Sequence, residues 1–126
     1  MSRGPASDAE AFEWARLERP SFATQVRHWG QSGLDRLVLL QFVVPGATEA
    51  RAVASAIGCT LAPIEQRRAN PFRLVDASHP VWWVHEAPPG ALACRHAPSG
   101  RTGLARSVRA DPAGDRFRVQ VSATTQ

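Results

Sequence analysis

The N-terminal part of the chain carries hydrophobic residues at helical spacing. Ser7, with Glu10 three positions later, forms a capping box that predicts a helix running to about Glu18. Pro20 ends this pattern because a proline disfavours helical angles in the residue before it. A second helix is predicted over residues 21–29, where three apolar side chains recur at i, i+4 and i+7: Phe22, Val26 and Trp29.

The middle of the chain changes from a continuous apolar run to helical spacing. The run over residues 37–44 predicts a central strand that is covered on both faces. A third helix is predicted to begin at Thr48 and to end at Gly58. Its apolar positions share one face: Ala50, Val53, Ala54 and Ile57. Residues 59–64 predict a further strand, so Leu37–Ile64 is a candidate strand-helix-strand unit.

The rest of the chain shows short extended segments separated by turn residues. Two hairpins are predicted: residues 81–86 with 91–96, and residues 102–109 with 116–122. We therefore expect an α+β fold, in which N-terminal helices and the strand-helix-strand unit pack on a mainly antiparallel sheet. The sheet would have about five to seven strands and could curl. The expected organisation is a loose leader over 1–6, a single domain over 7–122 and a frayed C-terminus over 123–126.

Composition adds a basic character without naming a partner. The chain has 126 residues and a formal net charge of +4, and all 15 of its cationic side chains are arginines. An all-arginine set suits bidentate contacts to phosphate, but a GC-rich coding background gives the same result. No apolar run approaches the roughly 18 residues of a membrane span, and no apolar signal region is seen. We expect a cytoplasmic protein without membrane contact, in which Cys59 and Cys94 are buried thiols.

The first candidate site is the predicted hairpin of residues 81–86 and 91–96. Strand alternation places on one face the candidates for a ligand pocket: His79, Trp83, His85, Cys94 and His96. A polar ligand pocket, a metal site and a Cys–His nucleophile pair are alternatives to a sheet core with histidines at its rim. Catalysis would then fall to His79, His85, Cys94 and His96. Adjacent Trp82 is expected on the opposite face. Because no spacing matches a strong metal template, we expect no metal and no cofactor.

The second candidate site is the basic hairpin over residues 95–118. It holds six arginines and two aspartates, so six minus two accounts for a charge of +4. Arginines on a two-stranded ribbon can neutralise phosphates in a salt-dependent way. The candidates for nucleic-acid contact are Arg106, Arg109, Arg116 and Arg118. The alternative is a solvated sheet face, because no aromatic side chains alternate with these arginines as they do on single-strand binding platforms.

Known signatures do not settle the function. The sequence lacks the glycine-rich phosphate loops, the dinucleotide fingerprint, the zinc-protease motif and the nucleophile elbow, and no stretch resembles a family motif. The leading hypothesis is a small non-catalytic binding or accessory domain that contacts a protein or ligand through its sheet. The alternatives are a nucleic-acid-binding module and a small enzyme with a His/Cys-lined pocket. A homodimer through an edge strand at either end of the sheet is a further hypothesis.

Overall fold

The described part of the chain forms two helices and six strands. A computed structural model of the chain describes residues 4–33, 35–64, 80–97 and 103–125. In chain order the elements are α1 (Asp8–Ala15), β1 (Thr24–Ser32), β2 (Arg36–Val44), α2 (Ala47–Ile57), β3 (Ala62–Pro63), β4 (Leu92–His96), β5 (Leu104–Ala113) and β6 (Arg116–Thr125). The strands form one sheet in the order β1-β2-β6-β5-β4-β3, and every neighbouring pair is antiparallel. The predicted α+β class is confirmed.

The predicted strand-helix-strand unit is present as β2, α2 and β3. Its two strands do not pair with each other, because β6, β5 and β4 lie between them in the sheet. Three antiparallel neighbours in between leave β2 and β3 running in the same direction. The helix α2 therefore crosses over the central strands, and this crossing covers one face of the sheet.

That covered side, the helix face, holds the main hydrophobic core. Phe12 of α1 lies against Phe42 of β2, with ring centroids 5.9 Å apart. The predicted apolar stripe of α2 is buried in the same core: Ala50, Val53, Ala54 and Ile57. The predicted cap of α1 is confirmed, since the backbone N–H of Glu10 donates to Ser7 Oγ at 3.1 Å. Gly58 ends α2 at a positive φ of 99°, a conformation that favours glycine.

The helix predicted over residues 21–29 is wrong, because this segment forms the edge strand β1. In this strand Trp29 lies beside Leu39, on the face of the sheet away from the helices. The spacing of seven residues between Phe22 and Trp29 therefore does not place them on one face of a helix. Helix α1 also ends earlier than predicted, at Ala15, where Arg16 adopts left-handed angles and closes the helix. Pairing with β2 overrides the local periodicity of this region.

Gly30 explains how the start of the chain packs on β1. A Cβ at Gly30 would lie 2.9 Å from the ring of Pro5 and 3.3 Å from the indole of Trp14. The absent side chain lets both residues approach the strand. Residues 4 and 5 of the expected loose leader are therefore in contact with the sheet.

The predicted hairpin of residues 81–86 and 91–96 is wrong. The segment before the loop is not a strand, and β4 pairs instead with β5 on one side and with β3 on the other. The second predicted hairpin is confirmed as β5 and β6, with a tighter turn at Gly114 and Asp115. Strand β6 continues to Thr125, and Ala123 is only 1% exposed, so the expected frayed end is part of the sheet up to residue 125.

The expectation of two buried thiols is also wrong. Cys59, just after α2, and Cys94, in β4, form a disulfide with a Cα–Cα distance of 5.8 Å. The bond joins the end of the crossover helix to the strand beneath it on the helix face. Within the described ranges, no helix combines the length and the apolar character that a membrane crossing requires.

Candidate functional site

The second face of the sheet, opposite the helices, is covered by residues 80–86, here called the covering segment. This segment lacks strand pairing, and its backbone is held instead by side chains that rise from the sheet. Three of them lie side by side in one row across β2, β6 and β5: Gln41, Gln120 and Arg109. All three are buried. The covering segment therefore closes over a row of polar groups, which we call the polar row.

The amides of the polar row bind the backbone of the covering segment as one strand would bind another. Gln120 Oε1 accepts from the N–H of Val84 at 2.9 Å, and Gln120 Nε2 donates to the carbonyl of Val84 at 3.0 Å. Gln41 Nε2 donates to the carbonyl of Trp82 at 2.9 Å and to Gln120 Oε1 at 2.8 Å. Buried backbone groups need such partners, because an unpaired one costs about 1–3 kcal/mol.

Arg109 joins this contact to a buried ion pair. Its guanidinium donates to the carbonyls of Val84 and His85 at 2.8 and 3.2 Å. The same group donates to both carboxylate oxygens of Asp111, at 2.8 and 2.9 Å. Arg118 adds a third bond to Asp111, at 2.9 Å. Since the side chain of Arg109 is 0% exposed, it cannot reach a phosphate in this conformation, contrary to its predicted accessibility.

A tryptophan cluster lies next to the polar row on the same face. Trp83 is 3% exposed and packs with buried Leu39, and Trp29, Leu37 and Trp82 surround this pair. The indoles of Trp82 and Trp83 meet edge to face, with centroids 6.1 Å apart. The expectation that they point to opposite faces fails because the covering segment is not a strand.

The predicted His/Cys face does not form. Trp83 and His85 belong to the covering segment, whereas Cys94 and His96 lie on the helix face of β4. Cys94 is in the disulfide, so it has no thiol for nucleophilic attack. His96 packs near Gly58, and its Nδ1 is buried without a hydrogen-bond partner among the described residues. His79 lies outside the described residues.

Arg106, predicted to contact phosphate, ties the ends of both helices to the sheet. Its guanidinium donates to the carbonyls of Ala15 and Arg16 at 3.4 and 2.9 Å, and to that of Ile57 at 3.0 Å. These are the last carbonyls of α1 and α2, where helices favour a cation. Burial, and secondarily the charge of Arg16, lowers the pKa of Arg106 from its ordinary value. Its position is structural.

The remaining predicted phosphate contacts are nearer to solvent. Arg118 is 31% exposed and is paired with Asp111, and Arg116 is exposed at the start of β6. Arg116 lines a shallow groove of about 360 Å³ between the β1 side of the sheet and the β5–β6 turn. The other lining residues are Phe22, Thr24, Val43, Val44, Pro45 and Asp115. The four predicted arginines therefore do not form one basic surface.

The two edges of the sheet differ in what they offer to another chain. At one end β3 has only two residues, one of which is Pro63 and has no N–H to donate. At the other end β1 has nine residues and, within the described part of the chain, a strand neighbour on one side only. His28 Nδ1 contacts Asp8 Oδ1 at 2.5 Å, which holds the middle of β1 against α1. We take the outer edge of β1 as the candidate functional site.

The sequence contained weak signals for these sites. Gln41 stands alone in an otherwise apolar run, which is a sign that a buried strand must satisfy a polar group. The polar partners of that glutamine lie about 40 and 80 residues away, at Trp82 and Gln120, so no local pattern could name them. The apolar residues in and just before β1 have helical spacing, so the sequence predicted a helix here and missed the edge strand.

Comparisons with known proteins leave the site to be interpreted from its geometry. No protein-family model, curated protein or solved structure matches this chain. In the described ranges, His, Cys, Asp and Glu side chains do not come together in a group of three that could hold a metal ion.

Proposed function

We propose that the protein is a non-catalytic binding domain that contacts a protein partner through the outer edge of β1. The observation that carries this proposal is the length of that strand together with its single neighbour among the described residues. An edge strand presents a row of backbone N–H and C=O groups that can pair with an incoming strand. The leading sequence hypothesis, a contact made through the sheet, is kept and moved from the sheet face to its edge.

The faces of the sheet offer less to a partner than this edge does. On one face α1 and α2 cover the sheet. On the other face the side chains of the polar row are hydrogen-bonded to the covering segment. Trp29, on β1, is only half-buried and lies at the rim of the tryptophan cluster. Every second side chain of an incoming strand would lie on the same face as this indole, and the one opposite Trp29 would contact it, which would add specificity to main-chain pairing.

The pairing segment is limited to the regular part of β1. A bulge interrupts pairing with β2 between Thr24 and Arg27, and Gln25 there has a positive φ of 53°. From Arg27 to Ser32 the register with β2 is continuous. We therefore place the contact within this stretch, at residues 27–31. Gly4 lies against the carbonyl of Gly30 there, so an incoming strand has to displace it.

Selection of peptides tests the strand-addition function. Random peptides displayed on phage should yield binders to the immobilised protein, and N-methylation of every second backbone amide in such a peptide should abolish its binding. Val81→Lys, a change at a fully exposed residue outside β1, serves as the control and should leave binding intact. Failure to select any binder, or binders indifferent to N-methylation, would contradict the function.

The alternative functions are left with fewer residues. Nucleic-acid binding would depend on Arg116 and Arg118, because Arg106 and Arg109 are engaged within the protein. An enzyme with a His/Cys pocket would need another nucleophile than Cys94. The cytoplasmic location stays a prediction, and the Cys59–Cys94 disulfide weighs against it because disulfides rarely persist in the cytosol.

A further inference from the structure

We propose that residues 4–6, here called the N-terminal strap, are an autoinhibitory segment that closes the outer edge of β1 and that a partner strand displaces. This inference rests on the proposed strand-addition function and concerns how that function is regulated. The strap leads into Ser7, the N-cap of α1, and lies against β1. It is therefore an intramolecular competitor of any strand that adds to this edge.

The backbone groups of β1 point alternately toward β2 and away from it. The carbonyl of Leu37 in β2 points toward β1, since its oxygen would lie 2.9 Å from a Cβ at Gly30. Leu37 is opposite Gln31, so the backbone groups of Gln31 point inward, and inward and outward residues alternate along an antiparallel strand. Within residues 27–31 the outward N–H and C=O groups are therefore those of His28 and Gly30.

The strap lies against one of these two outward residues. A Cβ at Gly4 would be 2.8 Å from the carbonyl oxygen of Gly30 and 3.8 Å from its carbonyl carbon. A strand that pairs with β1 needs this oxygen as a hydrogen-bond acceptor. While the strap is in place, one of the two residues that could pair with a partner is obstructed, and the edge is closed to strand addition.

The strap is held by packing on Gly30 and not by strand pairing. A Cβ at Gly30 would lie 2.9 Å from the ring of Pro5, so this ring rests directly on the strand. Between the strap and the described part of β1 there is no backbone hydrogen bond. Pro5 has no N–H to donate, and Gly4 and Ala6 are exposed. A strand that forms main-chain hydrogen bonds along residues 27–31 makes a larger contact and displaces the strap.

The strap lowers the apparent affinity of the edge for a partner. Only molecules with an open strap can pair, so the apparent dissociation constant is the intrinsic one divided by the open fraction. A substitution that opens the strap raises this fraction. It should therefore lower the dissociation constant of every peptide that pairs with the edge, and by the same factor for each peptide.

Gly4→Ala opens the strap with a single methyl group. The added Cβ would meet the Gly30 carbonyl oxygen at 2.8 Å, and because that carbonyl belongs to a paired strand, the strap has to move. Pro5→Ala opens the strap in another way, by removing ring atoms that pack on Gly30. Gly33→Ala, between β1 and β2, is the matched control, because no described atom lies within 4 Å of its added Cβ. Gly4 and Gly33 are exposed, so both alanine variants are expected to fold.

Fluorescence anisotropy with the full chain and a phage-selected peptide, one whose binding is abolished by N-methylation, tests the inference. Gly4→Ala and Pro5→Ala should each lower the dissociation constant about threefold to tenfold, and Gly33→Ala should leave it unchanged. Equal dissociation constants for all four proteins would overturn the strap and leave strand addition standing. Tighter binding by Gly4→Ala without tighter binding by Pro5→Ala would also overturn the strap, because the gain would then belong to the added methyl group. Failure to select any peptide would overturn strand addition and the strap together.

Discussion

Arg109 and Asp111, two residues apart on β5, form an ion pair in which both side chains are 0% exposed. The guanidinium donates two hydrogen bonds to the carboxylate and also donates to the carbonyls of Val84 and His85. A charge that the sequence suggested for phosphate contact thus holds a non-repetitive segment against the sheet. Burial of this pair is tolerated because nearly every donor has an acceptor.

Removing the carboxylate charge should destabilise the fold strongly. In Asp111→Asn the guanidinium of Arg109 stays buried without its counter-ion, and such a loss costs about 3–5 kcal/mol. Urea unfolding followed by tryptophan fluorescence would measure the change in the free energy of unfolding. Asp115→Asn, in the exposed β5–β6 turn, makes the same chemical change and should stay within about 0.5 kcal/mol of wild type. Equal stability of the two variants would contradict the role assigned to the pair.

The amide of Gln120 should control local opening of the covering segment. Gln120→Leu leaves the N–H of Val84 without its acceptor, at a cost of about 1–3 kcal/mol. Hydrogen exchange at the Val84 amide should become faster, while exchange at amides of α2 should change only with global stability. Gln31→Leu, at an exposed position of β1, is the control. Unchanged protection of Val84 would show that the segment is held by other contacts.

The disulfide should contribute substantially to stability. Cys59 and Cys94 are 35 residues apart in sequence, and closing a loop of that length stabilises the folded state by about 3–4 kcal/mol in the chain-entropy description. Replacing both cysteines by serine should lower the free energy of unfolding by that amount. Reductant should destabilise the wild type and leave the double variant unchanged. If reductant destabilised both proteins equally, the loss of stability could not be assigned to the disulfide.

The same bond allows a test of location. Protein taken from its own cells with rapid alkylation should carry no alkylated cysteine if it resides in an oxidising compartment. Two alkylated cysteines per chain would support the predicted cytoplasmic location instead.

Arg106 should be needed to anchor both helix ends. Arg106→Met removes bonds to the carbonyls of Arg16 and Ile57 and should cost about 2–3 kcal/mol, as expected for hydrogen bonds to a charged group. Arg106→Lys keeps the charge but lacks the planar guanidinium, so its free energy of unfolding should lie between those of the wild type and Arg106→Met. Arg95→Met, at an exposed arginine of β4, is the matched control in thermal unfolding. A destabilisation no larger than that of Arg95→Met would rule out the anchoring role.

Local chemistry explains which parts of the fold were predictable. The cap at Ser7, the apolar stripe of α2 and the turn at Gly58 each depend on residues within one or two helical turns, and all three predictions are confirmed. The hairpin predicted over residues 102–109 and 116–122 was also correct, because β5 pairs with β6. Sequence patterns of this kind need no knowledge of distant partners.

Long-range contacts account for the rest. The spacing of Phe22, Val26 and Trp29 fits a helix, and only the available edge of β2 makes the segment a strand. The covering segment has a composition typical of a strand, but it lies on the face of the sheet and does not pair with a strand at the edge. The side-chain amides of Gln41 and Gln120 bind its backbone there. The candidate site follows from these same events, since the edge of β1 exists only because residues 21–29 do not form a helix.

The central claim is that residues 27–31 of β1 are the contact edge, and hydrogen exchange of their backbone amides with and without a selected peptide tests it most directly. In the free protein every second amide in this segment should exchange fast, because it points away from β2. With the peptide at a saturating concentration the same amides should become protected, while those of the covering segment stay unchanged. Fast exchange of these amides while the peptide is bound would contradict the account.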